Sequence, residues 1–184
     1  MITRWGAYIE KDKVLLEYPR PQMRRNSYIN LNGMWQYAIV RGESLPDKID
    51  GEILVPFSPE CELSGVRRTV SPEDTLWYVK DFSLPADFNI GRVLLHFGAV
   101  DQIATVYLNG MEVGSHIGGY TPFSIDITRE LREENQLIVK VRDVTDTSWH
   151  TRGKQKIRKG GIWYTPQSGI WQTVWLESVP EEYI

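Results

Sequence analysis

Gln102-Ile-Ala-Thr-Val-Tyr-Leu-Asn-Gly-Met-Glu-Val-Gly-Ser115 is the stretch that decides the fold. Two runs rich in apolar residues flank Asn109-Gly110. A type I′ turn needs positive φ at both of its central positions, so Asn-Gly between apolar runs is the strongest short-range signal of a β-hairpin. The sequence therefore predicts two antiparallel strands that are joined at Asn109-Gly110.

Short segments in which apolar and polar residues alternate lie on both sides of this hairpin. Phe123, Ile125 and Ile127 alternate with polar residues, which predicts a strand with one buried and one solvated face. Helical periodicity is almost absent, and the best helix candidate is the polar stretch 128–135. About eight or nine strands at this spacing predict an all-β sandwich or jelly roll with at most a turn or two of helix. The remaining strand candidates are residues 35–40, 53–55, 77–84, 92–97, 137–142 and 170–176.

The composition is that of a folded domain. The chain has 184 residues, of which 41% are hydrophobic and 11% aromatic, with a net charge of −3. These values argue against disorder and against nucleic acid as a partner. No stretch is apolar enough to cross a bilayer, so we expect no membrane partner. Cys61 is the single cysteine, which excludes an internal disulfide, and its neighbours Glu60 and Glu62 offer no activating environment, so we expect an inert thiol.

Two long segments, residues 57–75 and 143–169, are not predicted to form strands because Pro and Gly interrupt them. Loops of this length inside a compact domain are usually functional or disordered. Residues 1–30 are predicted to be an extended arm packed on the sandwich, because Pro19-Arg20-Pro21 fits neither a helix nor a central strand. Residues 31–184 are predicted to form one jelly-roll domain.

Positive charge is concentrated in the second of these segments. Residues 147–176 contain no acidic residue and five cations, namely Arg152, Lys154, Lys156, Arg158 and Lys159. The rest of the chain therefore has a net charge of −8 (−3 minus +5). Aromatic residues, among them Trp149, Trp163 and Tyr164, are interleaved with the cations. One interpretation is a solvated loop whose aromatic residues anchor it to the sandwich. The other is a site in which aromatic faces cover a sugar ring while Arg and Lys donate hydrogen bonds to hydroxyls or a carboxylate.

Other kinds of chemistry find little support in the residues. The three histidines lack metal-ligand spacing, so no metal site is expected. The sequence contains no nucleophile elbow, phosphate loop or dinucleotide fingerprint, and we expect no cofactor. Glu60 with Glu62, and Asp143 with Asp146, are the nearest candidates for a catalytic carboxylate pair. We interpret each as surface carboxylates, and no residue is predicted to be catalytic.

A series of short motifs runs along nearly the whole chain. They are Tyr18-Pro-Arg-Pro-Gln22, Leu31-Asn-Gly-Met-Trp35, Val55-Pro56, Leu76-Trp-Tyr78, His96-Phe-Gly-Ala-Val-Asp101, Val106-Tyr-Leu-Asn-Gly110, Val113-Gly-Ser-His116, Gly118-Gly-Tyr-Thr-Pro-Phe123, Asp126-Ile-Thr128, Ser168-Gly-Ile-Trp171 and Val174-Trp-Leu176. In number and order they resemble the N-terminal sugar-binding domain of glycoside hydrolase family 2. That family contains β-galactosidases, β-glucuronidases and β-mannosidases.

The resemblance implies a galactose-binding-domain-like jelly roll that is a fragment of a longer bacterial glycosidase. In such enzymes two glutamates of a TIM barrel, which follows an immunoglobulin-like domain, hydrolyse β-linked sugars with retention. The present chain is then expected to be non-catalytic and to have two kinds of partner, those missing domains and, weakly, carbohydrate. The alternative is an autonomous carbohydrate-binding module. The compartment stays open, because a periplasmic or secreted parent and a cytoplasmic one both fit.

The resemblance also implies that a loop of the domain borders the substrate site, and residues 57–75 and 143–169 are the matching segments. The carbohydrate-binding candidates are therefore Trp149, Arg152, Lys154, Gln155, Trp163, Tyr164, Glu60 and Asp143. Affinity for a free sugar is predicted to be on the order of millimolar. Residues 152–161 are predicted to be the most mobile part of the chain beyond its termini and the first part that trypsin cuts.

Overall fold

The computed structural model describes residues 2–20, 22–88 and 91–184. Within these ranges the chain forms twelve strands and two 3-10 helices of three residues each, Gly6–Tyr8 and Glu62–Ser64. The strands are β1 Tyr28–Asn30, β2 Gly33–Arg41, β3 Gly51–Val55, β4 Asp74–Ser83, β5 Arg92–Phe97, β6 Val100–Asp101, β7 Ile103–Leu108, β8 Met111–Ile117, β9 Phe123–Asp126, β10 Glu134–Arg142, β11 Gly169–Ile170 and β12 Val174–Val179. The predicted all-β fold with at most a turn or two of helix is confirmed.

Two large antiparallel sheets enclose the core. One has the strand order β1-β12-β5-β9 and the other β3-β2-β4-β10-β7-β8, while β11 and β6 form a separate two-stranded sheet. The main apolar cluster combines residues of both large sheets, including Trp35 and Tyr78 from the six-stranded one and Leu95, Phe97 and Leu176 from the four-stranded one. The molecule is the predicted jelly-roll sandwich.

The predicted hairpin is present as β7 and β8. Asn109 and Gly110 have φ values of 53° and 84°, the positive values that a type I′ turn needs. The Asn109 side chain also ties the turn to the next segment, because its Nδ2 donates to Glu130 O at 2.7 Å and to Asn135 Oδ1 at 3.0 Å.

Two of the predicted elements are wrong. The helix expected in residues 128–135 is a turn followed by the start of β10, and Asn135 bonds both backbone groups of Arg132, at 2.9 and 2.8 Å, in a local arrangement that competes with helix. The strand expected in residues 170–176 is divided into β11 and β12. Asn32 Oδ1 accepts a 3.0 Å hydrogen bond from Val174 N, where the chain enters β12.

The N-terminal segment is fastened to the four-stranded sheet. Its residues 28–30 form β1, which pairs with β12. The buried Glu177 on β12 accepts hydrogen bonds from Tyr18, Arg20 and Arg25 at 2.5, 2.7 and 3.0 Å. In the described ranges, no helix is long and apolar enough to cross a membrane.

Candidate functional site

Residues 143–169, here called the basic loop, connect β10 to β11 and fold back on themselves. Tyr164 N donates to Lys154 O at 2.9 Å, and Lys156 N donates to Tyr164 O at 3.1 Å. Nearer the tip, Gly160 and Trp163 exchange two backbone hydrogen bonds of 3.1 Å each. The two halves of the loop are therefore joined by their own backbone, which places Lys154 beside Tyr164.

The outer side of the basic loop carries exposed aromatic and cationic groups. Trp149 is 87% exposed and Tyr164 is 63% exposed, and Lys154 is also exposed. Lys156 Nζ lies 4.4 Å from the centre of the half-buried Trp163 ring, a cation–π contact. None of the five cations forms an ion pair with a carboxylate among the residues that the structure describes. These groups are available to an acidic or hydroxyl-rich partner.

The inner side of the loop is held by Gln155. Its Nε2 donates to Asp101 Oδ2 on β6 and to Tyr120 Oη, each at 3.2 Å. Its Oε1 accepts from Gln167 N at 2.5 Å. One amide side chain therefore links the outgoing half of the loop, the returning half and two segments of the sandwich.

Three carboxyls lie at the base of the loop, the buried Asp101 and Asp143 and the half-buried Glu60, here called the acidic cluster. Ser168 connects two of them, because its Oγ lies 2.7 Å from Asp143 Oδ2 and 3.1 Å from Glu60 Oε1. Backbone groups bind the same carboxyls, since Glu60 accepts from Val70 N at 3.1 Å and from Ser168 N at 3.0 Å. Glu60 thereby joins residues 57–75 to the base of the basic loop.

Burial raises the pKa of all three carboxyls. The pKa of Asp101 rises to about 7, first because burial penalises its charged form and then because Asp143 and Glu60 lie nearby. Burial likewise raises the pKa of Glu60 and of Asp143, although hydrogen bonds from Ser168 act in the opposite direction. In the described part of the chain no His, Cys, Asp and Glu side chains form a group of three or more that could hold a metal ion.

The predicted site residues divide into two groups. Trp149, Lys154 and Tyr164 lie on the exposed side, whereas Gln155, Glu60 and Asp143 belong to the hydrogen-bonded base. Arg152 is half-buried, and its buried Nε has no hydrogen-bond partner. Glu60 and Asp143 fix backbone and hydroxyl groups, so their geometry is that of a support and not of an open sugar contact.

Sequence reasoning missed three residues of this base, Asp101, Tyr120 and Ser168. All three stand in motifs that carry the family resemblance, and that position was the one available signal. Their chemistry was hidden because each partner lies far away in the chain, as with Ser168 and Glu60, which are 108 residues apart.

Comparison with known proteins identifies the family to which this fold belongs. Residues 32–171 match the family model of the glycosyl hydrolase 2 galactose-binding domain-like domain. The chain is 35% identical over 113 residues to a β-glucuronidase of Formosa agariphila, a match that covers 60% of this chain and 11% of that protein. It is 34% identical over 113 residues to a β-galactosidase of Thermoanaerobacter pseudethanolicus, with 59% of this chain and 14% of that protein covered.

Solved structures agree with this family. A β-glucuronidase from Ruminococcus gnavus in complex with uronic deoxynojirimycin superposes with a TM-score of 0.62 at 26% identity, over 86% of this chain and 30% of that one. A β-glucuronidase of an uncultured Clostridium gives a TM-score of 0.64 at 26% identity, over 88% and 31%. The chain thus spans less than a third of the relatives that it matches. It belongs to the glycosyl hydrolase 2 galactose-binding domain-like family.

Proposed function

We propose that this domain is a non-catalytic part of a longer retaining β-glycosidase, in which the basic loop faces the carbohydrate substrate and the neighbouring domains. The observation that carries the proposal is the outer side of the loop, where exposed aromatic rings stand near cations that form no ion pair with any carboxylate of the described residues. Such rings stack on the C–H face of a sugar, and cations donate charge-assisted hydrogen bonds to hydroxyl or carboxylate oxygens.

The same observation supports a preference for acidic sugars. A uronate carries a carboxylate that Lys154 and the other loop cations attract, whereas a neutral hexose offers hydroxyls alone. The relatives include proteins named β-glucuronidase and β-galactosidase, and an acidic sugar is the ligand that the loop charge favours. The immunoglobulin-like domain and TIM barrel are the proposed partners that complete the enzyme.

The proposal is tested by titrating the chain with glucuronate and with glucose, followed by nuclear magnetic resonance. We expect dissociation constants on the order of millimolar, because one open face buries little ligand surface. Tyr164→Ala and Trp149→Ala should weaken the binding of both sugars. Lys154→Ala should weaken the binding of glucuronate alone, by about threefold to fivefold, the effect of an exposed ion pair.

Trp5→Ala is the matched control for the aromatic variants. Trp5 is 71% exposed but lies in the N-terminal segment, so its removal should leave sugar binding unchanged. Micromolar affinity that persists in Trp163→Ala and Tyr164→Ala would exclude this surface and favour an autonomous carbohydrate-binding module. Equal weakening by Trp5→Ala would also contradict the proposal.

A further inference from the structure

The Ser168 hydroxyl lies within hydrogen-bonding distance of two carboxyls, Asp143 at 2.7 Å and Glu60 at 3.1 Å. A hydroxyl carries one hydrogen, so it can donate to one of them alone. The second contact becomes a hydrogen bond when the other carboxyl keeps a proton and donates it to Ser168 Oγ. The geometry therefore favours a proton that is retained inside the acidic cluster.

Asp101 extends this cluster to the basic loop. Its side chain is enclosed between Gln155, which donates to Oδ2, and the backbone of Gly119, where an added Cβ would lie 2.5 Å from Asp101 Cγ. The residue is 4% exposed. The loop therefore forms one wall around this carboxyl, and lifting the loop would admit water to it.

The groups that face Asp101 supply no positive charge. They are the carboxyl of Asp143 after β10, the carboxyl of Glu60 after β3, the amide of Gln155 in the loop, the hydroxyl of Tyr120 after β8 and, beside the neighbouring Gly169, the hydroxyl of Tyr78. In the described part of the chain no Lys, Arg or His forms an ion pair with any member of the acidic cluster. Ionisation of Asp101 is thus opposed by burial and by the like charge of Asp143 and Glu60, which together outweigh the hydrogen bond from Gln155.

We propose that the acidic cluster and Gln155 form a pH-sensitive latch, which holds the basic loop against the sandwich while the cluster is protonated and releases it as the cluster ionises. The latch is a property of this chain by itself. Its test does not depend on whether the loop binds sugar.

The direction of the response follows from linkage. With the loop closed the pKa of Asp101 is about 7, above the ordinary value of 3.8, and water admitted by opening returns it toward that value. Closure therefore takes up a proton between about pH 4 and pH 7. The ratio of closed to open loop is highest below this range. It falls as the pH rises through the range, by at most about tenfold per pH unit for one proton, and levels off above it.

The test is hydrogen exchange with mass spectrometry between pH 5 and pH 8, with each rate divided by the intrinsic rate at that pH. Protection of peptides within residues 150–165 should fall about tenfold or more from pH 5 to pH 7 and then level off. Peptides of β10 should not follow this profile. At pH 7 and above, where the loop should be released, trypsin should cleave rapidly between Arg152 and Lys159.

Three variants decide the outcome. In Asp101→Asn, the logarithm of loop protection should change between pH 5 and pH 7 by less than half as much as in the wild type. The remaining change is due to Glu60 and Asp143. Gln155→Ala should leave the loop poorly protected at every pH. Asp146→Asn, which changes an acid of the same loop outside the cluster, should keep the wild-type profile.

The proposal is overturned if protection of the loop in the wild type does not change with pH. It is also overturned if the pH profile of Asp101→Asn equals that of the wild type. If Asp101→Asn does not fold, the ¹³C titration of the Asp101 carboxyl in the wild type decides instead. A midpoint near 7 supports the proposal, and a midpoint below about 5 contradicts it because the closed loop would then not hold the proton.

Discussion

At the scale of single residues, Glu177 and His96 form a buried polar centre on the outer side of the four-stranded sheet. Glu177 accepts hydrogen bonds from two arginines, Tyr18 and Trp175, and His96 stacks on the Trp175 ring at 4.8 Å. Burial lowers the pKa of His96 to about 4, with the nearby Glu177 acting against this shift. His96 is therefore neutral in the folded protein at pH 7.

This state of His96 predicts a loss of stability in acid. The folded pKa of about 4 lies below the ordinary 6.5, so the stabilisation is present above pH 6.5 and is lost as the pH falls through 4. Between pH 7 and pH 4.5 this loss amounts to about 2 kcal/mol in wild type, and it is absent in His96→Gln. The difference in unfolding free energy between the two proteins, measured in urea at both pH values, should shrink by that amount. A constant difference would show that His96 is not the titrating group.

At the scale of elements, the small β6–β11 sheet positions the base of the basic loop. Gly169 on β11 pairs with Asp101 on β6, and the next residue, Ile170, donates its N–H to Tyr78 Oη at 3.2 Å. Gly169 has φ of 77°, and a Cβ there would overlap the Tyr78 hydroxyl and lie 2.8 Å from Leu76 Cδ2. Both the positive φ and the lack of room for a Cβ beside Tyr78 and Leu76 therefore require glycine at this position.

Gly169→Ala should therefore be strongly destabilising. Gly110 is the matched control, because it has φ of 84° and nothing within 4 Å of an added Cβ. Gly110→Ala should cost about 1 kcal/mol for its backbone conformation, and Gly169→Ala about 3 kcal/mol or more because packing strain is added. Equal costs in urea unfolding would mean that the space around Gly169 is not limiting.

At the scale of the whole molecule, the carboxyls of the acidic cluster are used for support. The acidic cluster binds Ser168, Val70 N and Gln155 inside the base of the loop. A glycosidase needs two carboxyls on either side of an open cleft, one of them ionised. The acidic cluster lies at the base of the basic loop, whereas the exposed aromatic groups lie on its outer side.

The purified chain should accordingly release no nitrophenol from 4-nitrophenyl β-glucuronide or β-galactoside above the buffer rate. The physical reason is that Asp143 is buried and Glu60 is bound to Val70 N and Ser168 N, so the two carboxyls do not face each other across an open cleft. The check is a long incubation at high protein concentration, with Glu60→Gln as a comparison. Turnover that a single Glu or Asp substitution abolishes would refute the non-catalytic role.

The sequence by itself determined the strand-rich fold and the hairpin. Asn109-Gly110 and the alternation of Phe123, Ile125 and Ile127 are local signals, because turn geometry and the two-residue period act over a few neighbouring residues. The basic loop and its exposed aromatic groups were also visible, since their charge and composition are contiguous.

Only the tertiary structure decided where the loop is fastened and why residues 170–176 break into two strands. Glu60, Asp101 and the two ends of the basic loop, Asp143 and Ser168, are far apart in the sequence, and nothing local marks them as neighbours. Burial raises the pKa of all three carboxyls, and nearby Asp143 and Glu60 raise that of Asp101 further; both causes exist once the sheets have packed and water has been excluded. For the same reason, Glu60 and Asp143 were placed among the sugar-contact candidates by sequence but stand in the fold as supports.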